Sequence, residues 1–251
     1  MKRGVKKGII VASAVVLAAL TIAANIIRSH SQVHASDVDI HGVQTPKLVD
    51  ESTVADSILA NIPQLFATRV GDVDRERVAA AAMKVPFIEE ASASVSVSGK
   101  VVVKTKQRRP IARLYYGRNE YYMDSKNTVF PTSKIGDCDV LVAGGNFVEP
   151  LRLDSINHQV KELLALAYYL DRHSSYAMLV DQIYIESDND IMMVSKLGDN
   201  IIELGNTEDL DSKFGNLWTF YRKGMPRAGW ETYKKISLKY KGQVVCTKDK
   251  K

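Results

Sequence analysis

The chain has 251 residues, 45% hydrophobic and 25% charged, an ordinary composition for folded protein that excludes gross disorder. Its formal charge of +5 sits at the start: Lys2, Arg3, Lys6, Lys7 and Arg28 precede the first acid, Asp37, and from Ser36 onward 29 Lys and Arg (34 minus 5) face all 29 Asp and Glu. A neutral folded part lacks the clustered cations that nucleic-acid binding needs, so nucleic acid is not an expected partner.

The first element is apolar. Residues 9–27 lie within GIIVASAVVLAALTIAANII and run 19 positions without a charge. As a helix they span roughly 28 Å, close to the hydrocarbon thickness of a bilayer. Four of the first seven residues are basic, and basic flanks stay cytoplasmic. The reading is a short cytoplasmic tail (1–8), a transmembrane helix (9–27), a juxtamembrane linker (28–35) and an exported bulk. Val33-His34-Ala35 also has the small-x-small form of a cleavage site. The apolar run, however, exceeds the roughly 7–15 residues usual in a cleaved signal.

Val38 and Ile40 alternate before Gly42, a first strand. Leu48, Val54, Ile58 and Leu59 recur at near-helical spacing behind the candidate caps Asp50 and Ser52. GDVDRERVAAAAMKVP reads as a second helix, with Asp72 or Asp74 as its cap and Pro86 as its stop. Alternating valines then flank Ser98-Gly99-Lys100, a hairpin turning at Gly99. The order strand, helix, helix, strand, strand suits a small three-stranded sheet covered by two helices.

The second region begins near Leu114. YYMDSKNTVFP turns at residues 124–127, and CDVLVAGG is an apolar strand. INHQVKELLALAYYLDRHS follows as a helix with Ile156, Val160, Leu163, Leu164, Ala167 and Leu170 on one stripe. Three short strands occupy residues 180–205. Leu210, Phe214, Leu217, Trp218 and Tyr221 then share one helical face. LKYKGQVVC, from Leu238 to Cys246, alternates as a last strand before a charged tail (248–251). The fold class is α+β: a βααββ module at 36–113, then a β-rich domain at 114–247, a strand meander under two amphipathic helices.

No Walker loop, HExxH, GxSxG or SxxK is present. The histidines, His30, His34, His41, His158 and His173, read as surface or packing residues. The pairs Glu89-Glu90 and Asp188/Asp190 are explained by solvation. Lys104, Lys106 and Arg108 alternate on one strand face, either solvated or aimed at an acidic partner or lipid headgroups. Cys138 and Cys246 can pair in an oxidising compartment but need not. They have no CxxC and no histidine at ligand spacing, so zinc is not expected. No enzyme activity, cofactor or metal is expected. A free edge on the last strand would expose unpaired N–H and C=O groups and invite a partner strand.

Several stretches together resemble the FtsQ/DivIB family of bacterial cell-division proteins. VDIHG at 38–42 is similar to the family's opening strand with its small hinge residue, and MKVPFIEEASASV at 83–95 to its helix end and hairpin start. RRPIAR at 108–113 resembles the segment that closes the family's POTRA module. YYMDSKNTVFP resembles the hairpin that opens the family's β-domain, with Asn127 where a glycine is usual. IIELGNTEDLDSKFGNL resembles a strand end and the following helix, ISLKYKGQVV the last strand, and QVVCTK the Bacteroidetes branch.

The resemblance implies a POTRA-like domain at 36–113 and a single-pass type II protein of the inner membrane at the division septum. It implies a scaffold that binds the bitopic division proteins FtsB and FtsL in the periplasm and links early to late division proteins. The last strand would accept an FtsB strand through Lys239, Tyr240, Gly242 and Val244: Lys239 facing a partner carboxylate, Tyr240 as the central amphipathic contact, Gly242 allowing close approach or a bulge. The POTRA-like module would engage other divisome members near residues 38–42 and Gly99. The other reading is a POTRA-containing polypeptide-transport or envelope-assembly component. It would need many amphipathic barrel strands after Leu114, where the sequence has few.

Overall fold

The computed structural model describes residues 13–26, 31–33, 35–41, 46–96, 98–187 and 190–248. Residues 13–26 are helical (α1) and exposed throughout. Among the described residues no helix is long and apolar enough to cross a membrane. The expected tail at 1–8, the two ends of the apolar run, Gly42, Asp188 and residues 249–251 lie outside the described residues.

The chain divides into two compact units, residues 1–108 and 109–251. Beyond α1, the first contains β1 (Ala35–His41), α2 (Glu51–Asn61), α3 (Arg75–Ala82), β2 (Ile88–Val95) and β3 (Lys100–Gln107). β3 is central, parallel to β1 and antiparallel to β2, in the order β1-β3-β2. Both helices start where a carboxylate can satisfy free amides. Asp50 accepts from the Thr53 amide, and Asp74 from the Arg77 amide. Their apolar faces bury Val54, Ile58, Val78, Ala81 and Ala82 against Val101 and Val103 of β3. The hairpin turns through Gly99 at φ +85°.

Acids of the same unit pair with part of the cationic strand face. Lys106 pairs with Glu89 at 3.2 Å and Glu90 at 3.6 Å, Lys100 with Asp37 at 2.8 Å, and Lys104 stands opposite Asp39 in register. The face therefore carries its own counter-charges. The proposed linker is also shorter than the sequence suggests. Val33 is buried in the core, and residues 31–33 bond to the loop between α2 and α3.

In the second unit are β4 (Pro110–Tyr116), β5 (Asn119–Asp124), β6 (Val129–Pro131), β7 (Leu141–Gly145), α4 (His158–Arg172), α5 (Ser174–Ala177), β8 (Val180–Ser187), β9 (Asp190–Ser195), β10 (Ile201–Gly205), α6 (Leu210–Lys223), α7 (Met225–Ala228), β11 (Tyr233–Ser237) and β12 (Val245–Lys248). Pro110–Tyr116 belongs to this unit's sheet, so the division falls at residue 108 and not after Arg113. Among the described residues nine strands form one sheet in the order β12-β11-β10-β9-β8-β7-β4-β5-β6.

This is not a meander. β4 with β7, β7 with β8, and β10 with β11 are parallel. Parallel neighbours need a long crossover, usually a helix. α4 carries the chain from β7 to β8, and α6 with α7 from β10 to β11. Leu163, Leu164, Leu166 and Leu170 of α4, with Phe214 and Leu217 of α6, pack on Ile183, Ile185, Ile191, Met193, Ile202 and Ile236. Side chains such as Phe214 each contribute about 1.5–3 kcal/mol by burial. At the β7–β8 seam, Gly145 has φ +141°, and a Cβ there would lie 2.4 Å from the backbone N and O of Ile185.

Candidate docking edge

The stretch expected as one terminal strand is two strands and a turn. β11 ends at Ser237 and β12 begins at Val245. They pair antiparallel, with Ile236 opposite Cys246 and Ser237 opposite Val245. Between them the Gln243 amide donates to the Tyr240 carbonyl at 3.1 Å, and Gly242 adopts φ +69°. Apolar alternation is the same on either side of such a reversal, which is why the sequence reads through it. Gly242 serves the dihedral and not a close approach: nothing lies within 4 Å of where its Cβ would be.

This rearrangement relocates the open edge. β11 is bonded on both sides, to β10 and to β12, so it has no free side to offer. Leu238 extends that pairing, donating its amide to the Glu203 carbonyl at 2.8 Å. β12 is the outermost strand and bonds only to β11 among the described residues. Val245, Thr247 and Lys248 on it are exposed, whereas Cys246 turns half-buried toward the core. The opposite edge, β6, is three residues long and ends in Pro131, a residue that cannot donate to a ladder.

The four residues named from sequence sit together in the β11–β12 turn and its exit. Tyr240 is 58% exposed. Lys239 is already engaged: its Nζ lies 2.7 Å from Asp190 Oδ2. Its stem lies over Gly205, where a Cβ would come within 3.3 Å of Lys239 Cγ. Val244 packs partly against the core and does not face outward. Lys239, Tyr240 and Gly242 form one wall of a cavity of about 320 Å³ whose other wall is the start of α6, with Asp209, Ser212 and Asn216.

Four further residues shape this corner, and their sequence context gives little sign of them. Lys213, on α6, folds its ammonium back onto the end of β10. It donates to the Leu204 carbonyl at 3.1 Å, the Asn206 carbonyl at 2.8 Å and Asn206 Oδ1 at 2.9 Å. Burial pushes its pKa down. Three acceptors match its three donors, so this is a structural lysine. Glu203 and Lys235 pair across β10 and β11 at 2.8 Å. That hydrogen bond from Lys235 holds the Glu203 carboxyl below its ordinary range and raises the Lys235 ammonium. Asp190, read as a solvated turn acid, is instead the partner of Lys239.

The two cysteines are free thiols. Cys246 is on β12, while the Cys138 amide bonds to Tyr122 on β5, seven strand positions away in the sheet. At roughly 4.8 Å per strand the separation is on the order of 30 Å, far beyond disulfide reach. Among the described residues no group of His, Cys, Asp and Glu has the arrangement of a metal site.

β12 thus presents an open strand edge, and Tyr240 in the adjoining turn faces solvent. Residues 109–247 match the model of the family described as FtsQ/DivIB, C-terminal related. That match covers more than half of the chain, and the chain belongs to the FtsQ/DivIB family of cell-division proteins. No curated protein matches the chain.

Proposed function

We propose that this protein is a bitopic, non-enzymatic scaffold of the division machinery. The open edge of β12 carries the reading. A partner strand added there completes a row of backbone hydrogen bonds, and Tyr240 supplies an amphipathic contact at the start of the same hairpin. FtsB-like and FtsL-like bitopic proteins are the partners that the family suggests. The assignment shifts from the expected strand around Lys239 to residues 245–248, with Tyr240 flanking them and Val244 supporting from below.

The anchor reading has support of its own. Val15, Val16, Leu17, Leu20, Ile22 and Ile26 of α1 are all exposed. A helix apolar on all sides belongs in lipid or in a protein core. Val33 also speaks for a retained segment: cleavage after Ala35 would remove a core residue and the bridge from Gln32 to Arg69. On this reading the basic N-terminal residues stay cytoplasmic, and both units lie in the periplasm at the septum. The first unit's β-α-α-β-β order and β1-β3-β2 sheet fit a POTRA-like module that meets other division proteins.

The test replaces Tyr240→Glu and, separately, Val245→Asp. Each variant should keep its circular dichroism spectrum and lose co-purification of an FtsB-like partner. Depletion of the protein should give filaments that fail to septate. Undiminished recovery of the partner with both variants would sink the proposal.

A further inference from the structure

Residues 31–33 do more than lead into β1. The Val33 amide donates to the Thr68 carbonyl at 3.0 Å, and the Val70 amide donates to the Ser31 carbonyl at 2.7 Å. Gln32 stands opposite Arg69 in an antiparallel bridge. Together with the burial of Val33, these bonds start the folded module at Ser31, on its own α2–α3 loop. Only Arg28, Ser29 and His30 separate Ser31 from the apolar run that ends at Ile27. Fully extended, that connection reaches about 14 Å. The headgroup layer itself takes up roughly 5–8 Å on each side of a bilayer. The Ser31 end of the module is therefore confined to within several ångströms of the lipid headgroups.

The register says which surface is confined. Ser31 lies against Val70 and Val33 against Thr68, so the chain beyond Val70 is on the tether side. That chain is the single 3-10 turn Val70–Asp72 and the first turn of α3. Gly71, Asp72, Arg75 and Arg77 are exposed there, and so is Arg69 on the bridge. The three arginines form no ion pair among the described residues. Asp74 is occupied in capping α3. Guanidinium groups match phosphate oxygens in geometry.

We infer that the surface from Arg69 to Arg77 rests on the exported face of the bilayer, with lipid phosphate as the ligand of its arginines. The inference rests on the anchor reading of residues 9–27. Arg69, Arg75 and Arg77 are balanced by Asp72, Asp74 and Glu76, so attraction alone is weak. The tether supplies the contact, by holding the surface at high effective concentration beside the lipid.

The experiment uses the full chain in phosphatidylcholine vesicles, with and without a headgroup-nitroxide lipid as quencher. Asp72→Trp places a fluorophore on the proposed surface. Met83→Trp places one at the far end of α3, about 12 Å from the helix start, at a residue that is 46% exposed. Both variants retain Trp218 and Trp230, so the difference between them isolates the introduced ring. An alkaline carbonate wash comes first. The expected result is protein retained in the vesicles, with at least about twofold stronger quenching at position 72 than at 83. Equal quenching in retained protein overturns the inference and leaves the anchor reading standing. Loss of the protein to the wash overturns the anchor reading, and the inference with it. Should Asp72→Trp fail to fold, Arg69→Trp takes the same measurement from the other side of the bridge.

Discussion

Lys239 Nζ reaches Asp190 Oδ2 at 2.7 Å, so the cation at the start of the β11–β12 turn is held by the first residue of β9, two strands away. This pair steers the Lys239 stem across Gly205 and sets where the turn leaves the sheet. Both partners are partly exposed, with side chains at 36% and 23%. Solvent screening therefore limits the pair to less than about 1 kcal/mol.

Asp190→Asn should accordingly lower the urea midpoint only slightly, with an unchanged m-value, and high salt should narrow the gap to the parent. A loss above about 2 kcal/mol would mean that the pair fixes the turn far more rigidly than its exposure allows.

Gly242→Ala tests the turn itself. With φ at +69° and open space around the missing Cβ, the substitution meets backbone strain alone. The expected loss is roughly 1–2 kcal/mol in chemical denaturation, with Gly242→Asn costing less because asparagine tolerates the left-handed region. Equal losses for the two variants would argue for a packing role.

The pairing of Glu203 with Lys235 gives a signed pH dependence. The Glu203 carboxyl is held below its ordinary range by the Lys235 hydrogen bond, while burial opposes the shift. A depressed folded-state value contributes stability above the unfolded pKa, near 4.3, and loses it as pH falls through the lower folded value. Melting temperature should therefore fall more steeply with acid in the parent than in Glu203→Gln below about pH 4.5. Parallel profiles would show that the pair is not coupled to folding.

The thiols should behave independently. Burial raises the pKa of both Cys138 and Cys246. Native protein should alkylate slowly at pH 8, with Cys138 modified only after denaturation, and its gel mobility should not change on reduction. A reducible intramolecular band would contradict the placement of the two residues near opposite ends of the sheet.

Much of this architecture is legible in residue patterns, because local chemistry dictates it. Asp50, Asp74 and Asn157 cap their helices with side-chain acceptors, as short polar residues ahead of apolar stripes do. Gly99 and Asn127 mark turns because positive φ favours those residue types. What the patterns conceal is non-local. Nothing within CDVLVAGG announces that it lies parallel to both of its neighbours, since a buried apolar run fits either pairing. Likewise the alternation from Leu238 to Cys246 does not separate one strand from two. Only Lys241-Gly242 signalled the reversal, and glycine in a strand also fits a bulge. Asp209 heads α6 in a left-handed conformation without a side-chain cap, so standard capping rules do not reveal its geometry.

Gly145 carries a consequence for the gene as much as for the fold. Its backbone lies so close to Ile185 that even a methyl group would wedge the β7–β8 seam apart, and its dihedral separately disfavours any L side chain. A saturation library at this codon should recover glycine alone among functional clones. The two halves of the sheet stay zipped through a position that admits no side chain.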